Sequence, residues 1–175
     1  VDSVKMMYAM FMNSTSFNQN IGNWNVSSVN RMYSIFEGAR SFNQDIGRWD
    51  VTGWDLSGHN YFIRMFKNAT AFDQNLGSWD IDSISRMAGM FDSSGMSTKN
   101  YDSTLISWQK KSHLEDVFIG VAGLNYCLAD SARIELIKDG WTLNGDKRDT
   151  SCKTSNDLTH FVFTIQTDTN FFGLA

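Results

Sequence analysis

Charged side chains are scarce in this sequence, and long apolar runs are absent. Lys, Arg, Asp and Glu make up 19% of the 175 residues, and the formal net charge is -4. Domains that bind a nucleic-acid backbone carry clustered Lys and Arg, so no nucleic-acid partner is expected. No stretch approaches the roughly 18 apolar residues of a transmembrane helix. We therefore expect no transmembrane segment in this fragment.

Residue patterns that would carry catalysis or hold a metal ion are also missing. The three histidines, His59, His113 and His160, are far apart and lack the short spacings of metal ligands. No Gly-rich phosphate loop is present, and the common Ser and Asp residues do not define a catalytic triad. We expect no enzyme activity, no metal site and no cofactor.

What the sequence does contain is an internal repeat. Phe17, Phe42 and Phe72 are separated by 25 and 30 residues, and three tryptophans follow the same steps: Trp24, Trp49 and Trp79. A fixed period of this size is typical of a solenoid, in which each coil covers the apolar face of its neighbour. The coils are predicted at residues 1–25, 26–50, 51–80 and 81–109. Val1 aligns with Val26 inside the motif, so we expect a piece of a larger repeat protein.

Each coil is predicted to begin with a short helix. In the second coil, Val29, Met32, Tyr33 and Phe36 follow the i, i+3, i+4, i+7 spacing of an apolar helix face. The equivalent stripes in the first and fourth coils are Val4, Met7, Tyr8 and Phe11, and Ile84, Met87, Ala88 and Phe91.

The second part of each coil is predicted to be a strand. Phe42, Gln44 and Ile46 alternate with polar residues, which indicates one buried face. Two interpretations of the glutamine row remain open: an internal ladder of amides, or a position at a surface corner of the coil. The tryptophan row is interpreted as a stacked core row, the alternative being a platform for sugars.

Two further features are candidates for ligand binding. The third coil is five residues longer than the second, and Trp54, His59 and Tyr61 in its insertion break the repeat rows. Insertions in solenoids form loops, often on the binding face; the alternative is an inert loop. Polar rows on the outer strand face could also contact sugar hydroxyls or a peptide backbone, or could simply keep the strands soluble. These rows are Asn18, Asn43 and Asp73, and Asn20, Asp45 and Asn75.

The repeat as a whole resembles that of BspA-like bacterial surface proteins, a group that includes mycoplasma and Listeria lipoproteins. The shared pattern is Met-x-x-Met-Phe-x-x-Ala-x-x-Phe-Asn-Gln-x-Ile-x-x-Trp-Asp-Val-Ser. In the second coil it is matched at Met32, Phe36, Ala39, Phe42, Asn43, Gln44, Ile46, Trp49, Asp50 and Val51, while Ile35 replaces the usual Met. The resemblance implies an α/β solenoid similar to leucine-rich repeats, located on a cell surface and used in adhesion, and it implies no catalytic residues.

Residues 110–152 are predicted to close the open apolar end of the solenoid as a C-terminal cap. Val117, Ile119 and Val121 alternate as a strand, residues 129–138 read as a helix ended by Gly140, and residues 141–143 as a final strand. Tyr101, Leu105 and Trp108 replace the Phe, Ile and Trp rows, in a transition into the cap.

The two cysteines, Cys127 and Cys152, both lie in the cap. In an exported protein they would be oxidised, with roughly 3 kcal/mol of stabilisation; the alternative is two reduced thiols. Residues 153–175 are expected to be a linker followed by the start of another module, with one strand at residues 160–166.

The sequence therefore predicts an extracellular or cell-surface module that binds a host, matrix or cell-surface glycan or protein. A structural spacer without a ligand of its own is the alternative. A hydrolase is disfavoured because no acid, base or nucleophile cluster is present.

Overall fold

The computed structural model describes residues 3–29, 31–52 and 62–152. Two helices lie in its C-terminal part, α1 at Thr98–Gln109 and α2 at Asp130–Lys138. Five short strands accompany them: β1 at Arg86–Met87, β2 at Phe118–Gly120, β3 at Asn125–Tyr126, β4 at Thr142–Asn144 and β5 at Lys147–Arg148. The strand pairs β1–β2, β2–β4 and β3–β5 are all parallel.

The short helices predicted at the start of each coil are wrong. Residues 8–13, 33–38, 63–68 and 88–93 form runs of turns instead. Within each run, amides alternate between two kinds of acceptor. In the first coil, the amides of residues 9, 11 and 13 donate to carbonyls of residues 33, 35 and 37, whereas those of residues 10, 12 and 14 donate three residues back. Later coils repeat this scheme, so half of these amides join one coil to the next.

Left-handed backbone conformations explain why a helix cannot form there. One row of positive φ angles contains Ala9 (51°), Ser34 (54°), Arg64 (53°) and Gly89 (65°). A second row, four residues further on, contains Asn13 (58°), Gly38 (70°), Asn68 (59°) and Ser93 (55°). A right-handed helix cannot include such residues, and each one redirects the chain so that the next amide points to the neighbouring coil.

The predicted strands of the second half of each coil are likewise replaced, in the described coils, by segments without regular backbone pairing. Residues 42–46 and 72–76 belong to no strand. Their inward side chains are nevertheless buried as expected: Phe42 and Ile46 are 0% exposed. The alternation of apolar and polar residues therefore correctly predicted which side chains point inward, but it did not predict the hydrogen bonding of their backbone.

Aromatic rings fill the interior of the coils in two parallel rows. Phe11, Phe36, Phe66 and Phe91 stack with centroid distances of 5.7, 5.7 and 5.8 Å. The second row, Phe17, Phe42 and Phe72, stacks at 5.8 and 6.1 Å, and within a coil the two rows are about 3.9 Å apart. Ring pairs of this kind add about 0.5–1.5 kcal/mol beyond burial alone.

The tryptophan row is buried, as predicted, and it also makes hydrogen bonds. Trp49 and Trp79 are 3% and 1% exposed, and Trp24 in the first coil is half-buried. The indole Nε1 of Trp49 donates to the carbonyl of Ile21 at 3.1 Å, and that of Trp79 to the carbonyl of Ile46 at 3.0 Å. The Trp49 ring contacts Phe36, with centroids 6.1 Å apart.

The C-terminal segment contains the predicted elements. Val117, Ile119 and Val121 are buried around β2, α2 begins one residue after Ala129, and β4 follows Trp141. The disulfide between Cys127 and Cys152 is confirmed, with Cα atoms 5.7 Å apart. Helix α1 was not predicted.

Candidate binding site

The insertion in the third coil lies outside the described residues. Trp54, His59 and Tyr61 all fall within residues 53–61, so their part in the predicted site stays a prediction.

The first predicted polar row joins one coil to the next. Asn18 Oδ1 accepts hydrogen bonds from the Asn43 amide at 2.9 Å and from Gln44 Nε2 at 2.8 Å. One coil later, Asn43 Oδ1 accepts from the Asp73 amide at 2.9 Å and from Gln74 Nε2 at 2.6 Å. These side-chain oxygens thus hold the segments that lack backbone pairing, and a ligand would have to compete for them.

The glutamine row therefore does not form an internal ladder of amides. Gln44 and Gln74 are half-buried and Gln19 is exposed. Gln44 and Gln74 bind the asparagine of the preceding coil, reaching both its backbone carbonyl and its side-chain oxygen. Of the two interpretations, the surface position describes these residues better.

The second predicted row shapes a turn in each coil. The Oδ1 atoms of Asn20, Asp45 and Asn75 accept from the amide two residues ahead, at 3.1, 2.9 and 2.8 Å. Those amides belong to glycines, and a Cβ on Gly22 would meet the carbonyl oxygen of Asp45. Side chains of this row are exposed, and only one of the two polar atoms on each is needed for its turn.

The structure brings two of the predicted residues together in a shallow polar depression between the first and second coils. This depression has a volume of about 160 Å³ and is lined by Asn20, Gly22, Asn23, Gln44, Asp45 and Arg48. Amide, carboxylate and guanidinium groups meet there, a set that can hydrogen-bond to hydroxyl and carboxylate groups of a ligand.

The sequence patterns did not identify Asn23 and Arg48, which also line this depression. They occupy one repeat position, which is filled by Ser78 in the third coil. The residue type at this position varies while the rows around it repeat, and this variation was the available signal. Of its three members, Ser78 donates from Oγ to the Gly47 carbonyl of the preceding coil at 2.7 Å. The residues of the first row, in contrast, repeat because they are needed between coils.

Asp73 shows how strongly the inter-coil bonds act on a titratable member of a row. Partial burial alone would raise the pKa of its carboxyl, but hydrogen bonds from Ser97 and Asn100, helped by the charge of Lys99, bring that pKa below its usual value. The Ser97 amide lies 2.7 Å and Asn100 Nδ2 lies 2.8 Å from Asp73 Oδ1. The ionised form is the one that joins the third coil to α1.

A buried charged cluster in the C-terminal segment is structural. The Asp146 carboxylate accepts from both the Nε and Nη2 atoms of Arg133, at 2.9 and 2.8 Å, and from the Tyr101 hydroxyl at 2.9 Å. Burial and the adjacent carboxylate raise the pKa of Tyr101 far above its usual value, and the bond to Asp146 raises the pKa of Arg133. The Arg133 guanidinium also lies 5.0 Å from the centre of the Tyr126 ring. All four groups are thereby engaged with one another.

Among residues 3–29, 31–52 and 62–152, no three His, Cys, Asp or Glu side chains are grouped as they would be around a metal ion. His113 bonds to Asp139 and to the Lys111 carbonyl, at 3.1 and 2.8 Å, and its ring meets Trp141 edge-on. In the described part of the chain, no helix has the length and apolar character to span a membrane.

The recurring aromatic rows and the bonds between coils together define a repeat protein. Its family follows from comparison with known sequences. The chain belongs to the family described as Mycoplasma protein of unknown function, DUF285, whose model matches residues 1–108 and 50–128. No curated protein and no solved structure matches the chain.

Proposed function

We propose that this chain is a binding module of a BspA-like bacterial surface protein, built as a solenoid and presented outside the cell. The observation that carries the proposal is the polar depression at Asn20, Asn23, Gln44, Asp45 and Arg48. Membership of a mycoplasma-type repeat family and the disulfide between Cys127 and Cys152 support a surface location, since disulfides persist in oxidising compartments.

The expected ligand is a glycan or a protein with exposed hydroxyl and carboxylate groups. A shallow site of this size makes few contacts, so a single copy would bind weakly. Useful retention would come from many copies on one surface, because linked sites raise the effective concentration of each other. Trp54, His59 and Tyr61 stay part of this proposal as candidate ligand contacts.

The test is binding to an array of glycans and extracellular-matrix proteins, with the protein displayed multivalently and with calcium present or absent. Arg48→Ala should abolish a reproducible signal while leaving thermal unfolding unchanged, because the Arg48 side chain is exposed. Arg40→Ala is the matched control, since Arg40 is an exposed arginine of the same coil outside the depression.

Asp45→Ala needs a control of its own because it also removes a turn-forming hydrogen bond. Asn75→Ala removes the equivalent bond in the third coil, away from the depression, together with a bond from Thr104 Oγ1 at 3.3 Å. Loss of binding with Asp45→Ala alone would support the site. Equal loss with both variants would mean that turn geometry, rather than ligand contact, is responsible.

A structural spacer is the second candidate, and the polar rows favour it. Asn18, Asn43 and Asp73 use their side-chain oxygens between coils, and Asn20, Asp45 and Asn75 use theirs in turns. Rows that look like a binding surface in sequence are thus accounted for by folding. A blank array from folded, multivalent protein would favour the spacer.

A further inference from the structure

The polar depression is open because one repeat position differs between coils. The glycines that follow the second polar row lie in the same turn of successive coils: Gly22, Gly47 and Gly77. Serines of the next coil cover two of them. A Cβ on Gly47 would lie 3.2 Å from Ser78 Oγ, and one on Gly77 would lie 2.6 Å from Ser107. Above Gly22 the same position holds Arg48, and the atoms nearest to a Cβ there belong to other residues. The first interface is therefore left uncovered.

Folding uses only part of the hydrogen-bonding capacity around this opening. Asn20 and Asp45 each give one side-chain oxygen to a turn amide, and Gln44 gives its Nε2 to the preceding coil. The Asn20 amide nitrogen, the second Asp45 oxygen and Gln44 Oε1 are not used in these bonds. Asn23 and Arg48, both exposed, add an amide and a guanidinium.

The remaining groups contain more donors than acceptors. Asn20 and Asn23 carry amide N–H groups, and a guanidinium has five N–H donors and no acceptor. Among the residues that the structure describes, no carboxylate lies within ion-pairing distance of Arg48. A carboxylate on the ligand matches this arrangement, because it is planar, negatively charged and able to accept two parallel hydrogen bonds from one guanidinium.

The two unused acceptors indicate that the ligand also carries hydroxyl groups. The second oxygen of Asp45 and the Oε1 atom of Gln44 can only accept hydrogen bonds. The carboxylate of an acidic amino-acid side chain would leave both without a donor. A sugar acid, in contrast, carries a carboxylate and several hydroxyls on one ring.

The size of the depression limits what can enter it. Its volume of about 160 Å³ is below the roughly 300–1,000 Å³ of pockets that enclose larger ligands, so it has room for a single unit at the end of a chain. None of its six lining residues is aromatic. Hydrogen bonds and charge, rather than stacking on a sugar ring, therefore determine which ligand is selected.

We infer that the depression binds the terminal sugar of an acidic glycan through its carboxylate, with Arg48 as the anchoring residue. The inference rests on the proposed binding function and specifies its ligand. Arg48 donates to the carboxylate, while Asp45 and Gln44 accept from hydroxyls of the same sugar. The amides of Asn20 and Asn23 supply the remaining donors.

Matched glycans that differ in one group test the inference. The full chain is displayed multivalently, and its retention is measured on glycans that end in a hexuronic acid or a sialic acid. The same glycans are then tested after reduction of the carboxylate to a primary alcohol. Reduction should weaken retention by about tenfold or more, because it removes a charge-assisted pair and leaves the hydroxyls in place.

A substitution shows whether Arg48 is the source of this preference. Arg48→Gln keeps an amide donor but removes the charge, and it should make retention of the acidic and the reduced glycan equal. Arg40→Gln is the matched control at an exposed arginine of the same coil, and it should preserve the preference. Thermal unfolding of both variants should match that of the unchanged protein.

The possible failures are distinguishable. Equal retention of the acidic and reduced glycans by the unchanged protein would overturn the inference and leave the proposed binding function in place. The same conclusion would follow if Arg48→Gln kept the preference, or if reproducible signals came only from proteins or peptides. An array without any signal from folded, multivalent protein would remove the proposed function itself, and the inference with it.

Discussion

The coil stack comprises the described residues 3–29, 31–52 and 62–97, and the C-terminal segment comprises residues 98–152. The two regions place equivalent side chains with different backbones. In the stack, the second half of each coil, such as residues 42–46 and 72–76, lacks regular backbone pairing. In the C-terminal segment, helix α1 occupies the equivalent place. The side-chain bonds nevertheless continue. Trp108 on α1 donates from Nε1 to the Leu76 carbonyl at 3.0 Å, as Trp79 does to Ile46.

The amide row continues across the same change. Asn100 Nδ2 donates to both the carbonyl and the Oδ1 of Asp73, as Gln74 Nε2 does to the equivalent atoms of Asn43. The Ser97 amide likewise replaces the Asp73 amide as donor to the row. The repeat therefore consists of hydrogen-bonding atoms at equivalent positions, and either an irregular segment or a helix can place those atoms.

The largest expected effect comes from the tryptophan row, and it tests whether the two regions are energetically equivalent. Trp49→Ala and Trp108→Ala should each lower the free energy of unfolding by about 3–5 kcal/mol. Both substitutions remove a buried ring and leave a carbonyl without its indole donor. Urea unfolding measures the loss. Trp24→Ala, at a half-buried ring, should cost less; a loss below about 1 kcal/mol for Trp49→Ala would contradict the core role.

The disulfide distinguishes the two regions, because the described residues of the stack contain no cysteine. Replacing Cys127 and Cys152 together by serine should cost about 3 kcal/mol for a loop of this size. Native-state hydrogen exchange should show the loss of protection in α2 and the strands around it, with the coils less affected. Uniform loss through both regions would show that they unfold as one unit.

Gly38→Ala tests the left-handed positions of the stack. The substitution should cost about 1–3 kcal/mol, because Gly38 has φ of +70° and its new Cβ would meet Asn13 Oδ1. Asn68→Gly, at the equivalent position of the third coil, is the control and should change stability by less than about 0.5 kcal/mol. A neutral Gly38→Ala variant would mean that the coils can shift apart easily.

The smallest effect is expected at Asp73, where the two regions meet. Its folded-state pKa is lowered, so its contribution is present above the unfolded pKa of about 3.9 and is lost as pH falls through the folded value. In the Asp73→Asn variant, the free energy of unfolding should fall less when the pH is lowered below about 4. The difference from the unchanged protein should be roughly 0.5 kcal/mol, because solvent screens this partly exposed group. Urea unfolding at pH 7 and pH 3 measures this difference. An equal pH dependence of stability with and without the substitution would show that Asp73 does not contribute to acid destabilisation.

Sequence patterns predicted the side chains of this molecule better than its backbone. The spacing of Phe42, Ile46 and Trp49 correctly gave the buried rows, because burial depends on which way a side chain points. The helical spacing of Met32 and Phe36 wrongly predicted a helix, since a run of turns with left-handed residues buries a similar set. Gly38, Asn13 and Asn68 are tolerant of positive φ, and their recurrence was the signal against a helix.

The candidate site was predicted only in part. Asn20 and Asp45 were identified from their row, but the role of that row in turns depends on contacts two residues away. Arg48 could not be found from a repeating row because it does not repeat.

The alternating amides also give the stack a polarity. Each run of turns donates hydrogen bonds to the following coil, so a coil presents acceptors on the side facing its predecessor. The stack therefore has a direction, because a coil receives hydrogen bonds from the coil before it and gives them to the coil after it. Two coils can pair head to tail in this way, whereas two acceptor sides would set carbonyl against carbonyl.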